Sequence, residues 1–303
     1  MAEQSARRVP RVREARVLRT ERLTPHMVRL VLGGAGLGGF DATEFTDHYI
    51  KVLFAPAGTS WAGYPAPFDL ARIREEFPRE QWPVTRTYTV RAWDPVSGEL
   101  SVDFVVHGDE GLAGPWAARV QPGETVHFLG PGGGYAPDPA ADWHLLAGDE
   151  SALPAIAAAL ERMPDGAVGH ALVEVADAAE EQKIASPAGV EVSWLHRGER
   201  PVGAALIEAV TALDVPAGTV SAFVHGEAGF VKELRRQLRL ERGIPREQLS
   251  ISGYWRFGQN DDDWRAAKRE WNARVEAEQE SAQQEPGQQE SSQQRPAQQQ
   301  PVG

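Results

Sequence analysis

His144-Leu-Leu-Ala-Gly-Asp-Glu-Ser-Ala-Leu-Pro154 decides the fold. His144–Ala147 reads as a short buried strand, and Gly148-Asp-Glu-Ser151 turns it into a helix. Ser151 is expected to cap that helix, and Pro154 falls in its first turn, where a missing N–H costs nothing. Leu153, Ile156, Ala157 and Leu160 then form one apolar face. Strands are expected at 168–175, 190–195 and 220–225. Helices are expected over 203–213 and 228–241, the second with Val231, Leu234 and Leu238 inward and Gly243 as its stop. Strand alternating with helix predicts a parallel sheet. A last strand, 249–255, runs into Gly253-Tyr-Trp-Arg-Phe-Gly258, and Trp264, Lys268 and Trp271 lie on a final helix.

Upstream of residue 140 the pattern is different. Met27–Leu32, Tyr49–Phe54, Thr87–Arg91, Leu100–Val106 and Thr125–Leu129 are β-rich runs separated by Gly, Pro and Asp clusters. Trp93–Glu99 suits a hairpin connection and Gln121–Glu124 a turn. Six or so strands without long helices predict a closed antiparallel barrel. The expected organisation is a barrel over 12–140, an α/β domain over 141–258, a helix over 259–276 and a tail over 277–303. The tail is nearly all Gln, Glu, Ser, Pro and Ala, which cannot offset chain entropy, so it is expected to be disordered.

Composition narrows the chemistry. A length of 303 residues favours two domains. No apolar run is long enough to span a bilayer, and Met1–Arg13 lacks the apolar core of a signal peptide. A cytoplasmic monomer without membrane insertion is expected. The chain has no cysteine, which excludes disulfides, a thiolate nucleophile and a cysteine-held iron–sulfur cluster. Its eight histidines show no close pairing, so no protein-built metal site is expected. A net charge of −12 argues against nucleic acid. That charge is uneven: Arg7, Arg8, Arg11, Arg13, Arg16, Arg19 and Arg22 make the start basic.

Gly34-Ala-Gly-Leu-Gly-Gly39 fits the dinucleotide pattern G-x-G-x-x-G, but no helix follows, so we read it as a loop. Arg86-Thr-Tyr-Thr89 is more informative. On a strand, Arg86 and Tyr88 share one face, and Thr87 and Thr89 the other. An arginine fork suits a phosphate and a tyrosine suits a flat aromatic ring. The plainer alternative is an ordinary strand with Arg86 on a surface carboxylate. Gly148, Asp149, Glu150 and Ser151 sit where a parallel strand meets a helix, the crevice in which ligands dock. Either they cap the helix, or the acidic pair meets a ribose or nicotinamide. Glu174 and Asp177, ending the next strand, suit an adenosine ribose and NADH. Arg197 suits a 2′-phosphate and NADPH, and both alternatives stay open.

The chain resembles the siderophore-interacting protein family, flavin-dependent ferric-siderophore reductases with the layout of the ferredoxin–NADP reductase superfamily. The resemblance is carried by Arg86–Arg91, His107-Gly-Asp-Glu-Gly-Leu-Ala-Gly-Pro-Trp-Ala117, Gly130-Pro131, Ala147–Pro154 and Gly253–Gly258, in order across roughly residues 12–272. It implies that Arg86 binds FAD phosphates, that Tyr88 lies against the flavin ring and that Thr89 bonds near it. His107, Gly108, Gly111, Ala113 and Trp116 would surround the FAD. The family loop commonly reads Gly-Pro-Ala-Ser, whereas Gly111-Leu-Ala-Gly114 lacks that hydroxyl. Gly148–Ser151 would meet the nicotinamide donor. Lys51 and Arg256 match a basic pocket for the ferric siderophore, although Gly132-Gly-Gly134 lacks a third basic residue found there. Lys51 is otherwise an edge-strand charge, and Trp255, Trp264 and Trp271 suit packing better than electron relay. The implied activity moves electrons from NADH or NADPH through FAD to ferric iron, and needs no general acid, base or iron ligand from the protein. Rival readings are a flavoreductase with ferredoxin or another acceptor, and a non-enzymatic siderophore carrier.

Overall fold

The computed structural model describes residues 12–284 except 57, 66, 67 and 110. Residues 7, 8 and 11 of the basic start and 285–303 of the expected tail lie outside that set.

The barrel comprises β1 (Arg13–Thr24), β2 (Met27–Gly33), β3 (Tyr49–Phe54), helix α1 (Leu70–Glu76), β4 (Val84–Asp94), β5 (Glu99–Val105), helix α2 (Ala113–Ala117) and β6 (Thr125–Gly132). It closes in the order β1-β2-β5-β4-β3-β6. Strand β1, in a stretch whose sequence signals only basic charge, pairs through Arg13–Arg16 with Thr125–Phe128 and shuts the barrel. Its inner face offers only Ala15 and Val17 to the core, too little for an apolar signal. The Gly34–Gly39 segment is a loop with one 3₁₀ turn, Ala35–Leu37. A Cβ on Gly36 would stand 1.9 Å from the Glu14 carbonyl oxygen, so the glycine lets the loop lie on β1. The Arg13 guanidinium caps the carbonyls of Gly36, Gly38 and Gly39.

The second domain comprises β7 (Trp143–Gly148), α3 (Leu153–Arg162), β8 (Val168–Val175), β9 (Gly189–His196), α4 (Ala204–Ala212), β10 (Val220–Glu227), α5 (Ala228–Arg236) and β11 (Leu249–Trp255). The strands form a parallel sheet in the order β11-β10-β7-β8-β9. Helix α3 covers one face with Leu153, Ile156 and Leu160, while α4 and α5 cover the other with Leu206, Val231 and Leu234. Burial on both faces explains the nearly continuous apolar runs of β7 and β10. The order reverses at β7, so the crevice between the ends of β7 and β10 is the expected ligand position.

Helix α6 (Asp261–Gln284) contains the expected end at 276 and continues beyond it. Its start reaches the barrel, where Arg265 donates to the Thr85 carbonyl at 2.7 Å. Its end lies on α5: Glu278 pairs with Lys232 at 2.6 Å, and the buried Gln279 amide donates to the Lys232 carbonyl at 3.3 Å. Trp264 is a packing residue, 1% exposed. Among the described residues no helix is long and apolar enough to cross a membrane.

Loss of the Gln279 bond and the Lys232 pair should cost about 1–2 kcal/mol. A chain ending at Glu276 should therefore melt roughly 3–6 °C below one ending at Gln284. Equal melting temperatures by calorimetry would show that the last turns of α6 do not brace the fold.

Candidate functional site

Strand register places the barrel half of the site. Tyr88 lies opposite Ile50 and Arg86 opposite Val52, whereas Thr87 lies opposite Lys51. Directly opposed residues share a face. Arg86 and Tyr88 therefore belong to one face, and the exposed Lys51 to the other. Tyr88 packs on Phe104 with centroids 4.1 Å apart and ring planes tilted by 36°, and Trp116 meets the same Phe104 edge-on at 5.6 Å. Burial pushes the Tyr88 hydroxyl well above its ordinary pKa. Thr89, opposite Tyr49 on the other face, is buried.

Arg86 is engaged. Its Nη2 donates to Asp262 Oδ2 at 2.9 Å and its Nη1 to Asp262 Oδ1 at 3.2 Å, while Asp261 stands 3.4 Å away. These partners lie in the first turn of α6, so the plainer carboxylate alternative describes the present geometry. They were missed because an acidic first turn is already explained by the helix dipole, and nothing local ties Asp262 to a strand so distant in sequence. A carboxylate offers the fork the same paired oxygens as a phosphate. In the neighbouring loop, Gly108 and Gly111 have φ of +54° and +81°, and a Cβ on either would meet nothing within 4 Å. Ala113, buried, begins α2. An arginine fork, half-buried aromatic rings and an open glycine loop fit a flavin dinucleotide.

The second half is built on Asp149. Its carboxylate is fully buried and accepts from Ser151 N, Ser151 Oγ, Glu227 N and the Trp255 indole N–H at 2.5–2.9 Å. The expected cap is thus reversed: Ser151 makes no cap of α3, and its hydroxyl donates to Asp149. Asp149 has the four-lone-pair carboxylate that can satisfy several converging donors, which a single hydroxyl cannot. Gly148 is required by packing, since a Cβ would fall 2.5 Å from that of Ala152 and 2.6 Å from the His225 carbonyl. Burial pushes the Asp149 carboxyl up to about 6, against the hydrogen bonds from Ser151 and Trp255.

Glu150 faces the other way and pairs with Arg197 at 2.7 Å. Arg197 also meets the buried Glu174 at 3.4 Å. Asp177 is exposed and caps the turn at Ala178–Glu180. His107 reaches this region from the barrel: burial lowers its pKa, and the charges of Glu150, His26 and Arg197 act on it. Another unanticipated tie is Glu180, buried, which accepts from Thr24 Oγ1 at 2.5 Å and contacts His26 Nδ1 at 2.7 Å. Lys51 and Arg256 have separate neighbours, the Tyr49 ring at 5.9 Å and the Trp271 ring at 5.7 Å.

The barrel, residues 16–135, matches the siderophore-interacting FAD-binding domain, and residues 141–258 match the siderophore-interacting protein model. The chain belongs to the siderophore-interacting protein family. It is 38% identical to the ferric vibriobactin reductase ViuB of Vibrio cholerae, over 81% of this chain and 89% of that one. It is 34% identical to the NADPH-dependent ferric-chelate reductase of Escherichia coli, over 81% and 93%. The solved structure of SipS from Aeromonas hydrophila superposes with a TM-score of 0.75 at 30% identity, covering 87% of this chain and 99% of that one. The barrel is an FAD-binding domain, and the fold is shared, at 17% identity and a TM-score of 0.59, with the solved ferredoxin reductase of a carbazole 1,9a-dioxygenase.

Asp149→Asn exchanges an acceptor for a donor among converging N–H groups and should cost about 2–4 kcal/mol by urea denaturation at pH 7. The folded-state pKa of about 6 lies above the ordinary aspartate value of about 3.9. As pH falls through this window the folded parent gains a proton that the unfolded chain lacks. Its advantage over the variant should therefore widen by up to about 1.4 kcal/mol per pH unit. A constant difference would place the Asp149 pKa elsewhere.

Proposed function

We propose that this chain is a reductase that passes electrons from a nicotinamide donor through FAD to a ferric siderophore, releasing Fe(II). The observation that carries the reading is a juxtaposition. The barrel's His107 loop lies against the second domain: its ring stands 6.3 Å from that of His26, whose Nδ1 contacts Glu180 of that domain at 2.7 Å. A flavin held by the barrel and a donor held by the sheet would meet there. Two relatives bear the names of ferric reductases. The E. coli relative's name specifies NADPH, and the donor of this chain depends on its own residues at the strand ends.

The net reaction balances as one nicotinamide hydride and two ferric ions giving the oxidised nicotinamide, one proton and two ferrous ions. Bound FAD supplies the conversion between a hydride pair and single electrons. The protein supplies position and electrostatics. Arg86 would take the FAD diphosphate on its fork, in exchange for Asp262. Tyr88 would pack against the ring system and Thr89 would bond near it, with His107, Gly108, Gly111, Ala113 and Trp116 around them. Gly148–Ser151 would border the nicotinamide cofactor. Hard oxygen ligands hold Fe(III) far more tightly than Fe(II), so reduction alone loosens the iron. Lys51 and Arg256 are the proposed receivers of an anionic chelate. Because register puts Lys51 on the face away from Arg86, we assign it to steering the chelate over the barrel surface.

The purified protein should be yellow, bleach anaerobically with NADH or NADPH, and yield Fe(II) to a colorimetric chelator when a ferric siderophore is added. A colourless protein that binds the chelate without turnover would be a carrier instead. Removing a charge-assisted phosphate contact costs about 1.5–3 kcal/mol. Arg86→Ala should therefore raise the FAD Kd by one to two orders of magnitude in fluorescence titration. An unchanged Kd would show that the anchor lies elsewhere.

Lys51→Ala and Arg256→Ala should each raise KM for a catecholate complex and leave reduction of the flavin unchanged. The effect should fade with salt, since exposed charges are screened within about 8–10 Å at 0.1–0.15 M. Unaltered kcat/KM at low salt would remove both residues from substrate binding.

A further inference from the structure

The carboxyl ends of β7, β8 and β9 hold a closed ion cluster. Arg197 donates to Glu150 Oε1 at 2.7 Å and Oε2 at 3.2 Å, a bidentate grip, and to Glu174 Oε1 at 3.4 Å. Side-chain exposure is 15% for Arg197, 11% for Glu150 and nil for Glu174. Glu174 Oε1 also accepts from the backbone N–H of Gly203 at 2.8 Å, so the cluster is pinned to the start of α4. Two ionised carboxylates on one guanidinium leave the group net negative. Nearby Asp177 is exposed, and only one of its oxygens is engaged, by Ala179 N at 2.8 Å.

In parallel sheets of this kind a carboxylate after the second strand takes the 2′-hydroxyl of the adenosine ribose, whereas an arginine in that region takes a 2′-phosphate. Asp177 follows the second strand of this sheet in chain order and Arg197 follows the third. The arginine can select NADPH only if its fork is open, and here it is shut. A 2′-phosphate would have to pull Arg197 from a buried bidentate partner. It would also strand Glu150 and Glu174 without a counter-charge beside a group of like sign, which is the costly way to break a buried pair. A ribose hydroxyl makes no such demand and donates to the open oxygen of Asp177.

We propose that this protein takes NADH in preference to NADPH, with Asp177 receiving the adenosine ribose and Glu150 determining specificity by keeping Arg197 from a 2′-phosphate. The inference rests on the reading of the second domain as the donor site.

The test uses the full chain loaded with FAD and two non-reducing probes, ADP-ribose and 2′-phospho-ADP-ribose, titrated by calorimetry. The parent should bind ADP-ribose about tenfold or more tightly than its 2′-phosphorylated form. Glu150→Gln, close in shape, frees one arm of Arg197 and should improve binding of the phosphorylated probe about tenfold relative to ADP-ribose. Asp177→Asn should weaken ADP-ribose severalfold. Equal or tighter binding of the phosphorylated probe by the parent overturns the proposal, and this comparison needs no variant. So does a folded Glu150→Gln protein with unchanged preference. Binding of neither probe overturns it together with the donor-site reading, while the FAD occupancy of the same sample reports separately on the flavin reading.

Discussion

The buried carboxylate of Asp149 is the constraint on which the rest of the second domain depends. One oxygen closes the β7–α3 turn through Ser151, and the other receives the Glu227 backbone N–H at the end of β10 and the Trp255 indole at the end of β11. Three strand ends are thereby tied at the point where strand order reverses. A charge without solvent is tolerated only when donors surround it, and this one is surrounded. The knot also explains why Gly148-Asp149 and Gly253-Tyr-Trp255 belong together though distant in sequence. Gly253 sits against Ala228 and Trp264, where a Cβ would lie 2.9 Å and 3.2 Å from their side chains, so β11 can approach close enough for Trp255 to reach Asp149. Glu227 continues the chain of support by capping α5 and accepting from Phe257 N.

The two domains are held by charge as much as by apolar contact. Arg91 of the barrel pairs with Glu161 of α3 at 2.5 Å, Glu180 receives Thr24 and His26, and Arg162 donates to the carbonyls of Thr43 and Phe45. Helix α6 adds a brace, with Arg86 at one end and Lys232 at the other. Such pairs contribute modestly to stability but fix relative orientation, because breaking one leaves a partly buried charge without a partner.

Much of this architecture was legible because it depends on local signals. Strand–turn–helix at 144–154 and the alternation that follows set the parallel sheet, and each expected strand of that domain is present. Strand β1 was not legible, because a strand whose outward face is charged and whose inward face holds two small apolar residues carries no periodic signal. The length of α6 was hidden for a similar reason: residues 277–284 hold no large apolar side chain, and of their described side chains only Gln279 is buried against the body. At the site, residue type was readable and pairing was not. Arg86, Asp149 and Arg197 could be nominated from their strands. That their partners are Asp262, the Trp255 indole and Glu150 follows only from three-dimensional placement.

This pattern of pairing decides how the cleft treats anions. Arg86 and Arg197, the arginines proposed here to face phosphates, each already grip a carboxylate bidentately. Phosphate binding is therefore an exchange, whose outcome depends on what happens to the displaced carboxylate. Asp262 lies at an exposed helix start and can return to water at little cost. Glu150 and Glu174 cannot, since they are buried at the strand ends. The same chemical pairing is thus cheaper to open at the barrel arginine than at the sheet arginine. That difference arises from the burial of the partners and not from the arginines themselves.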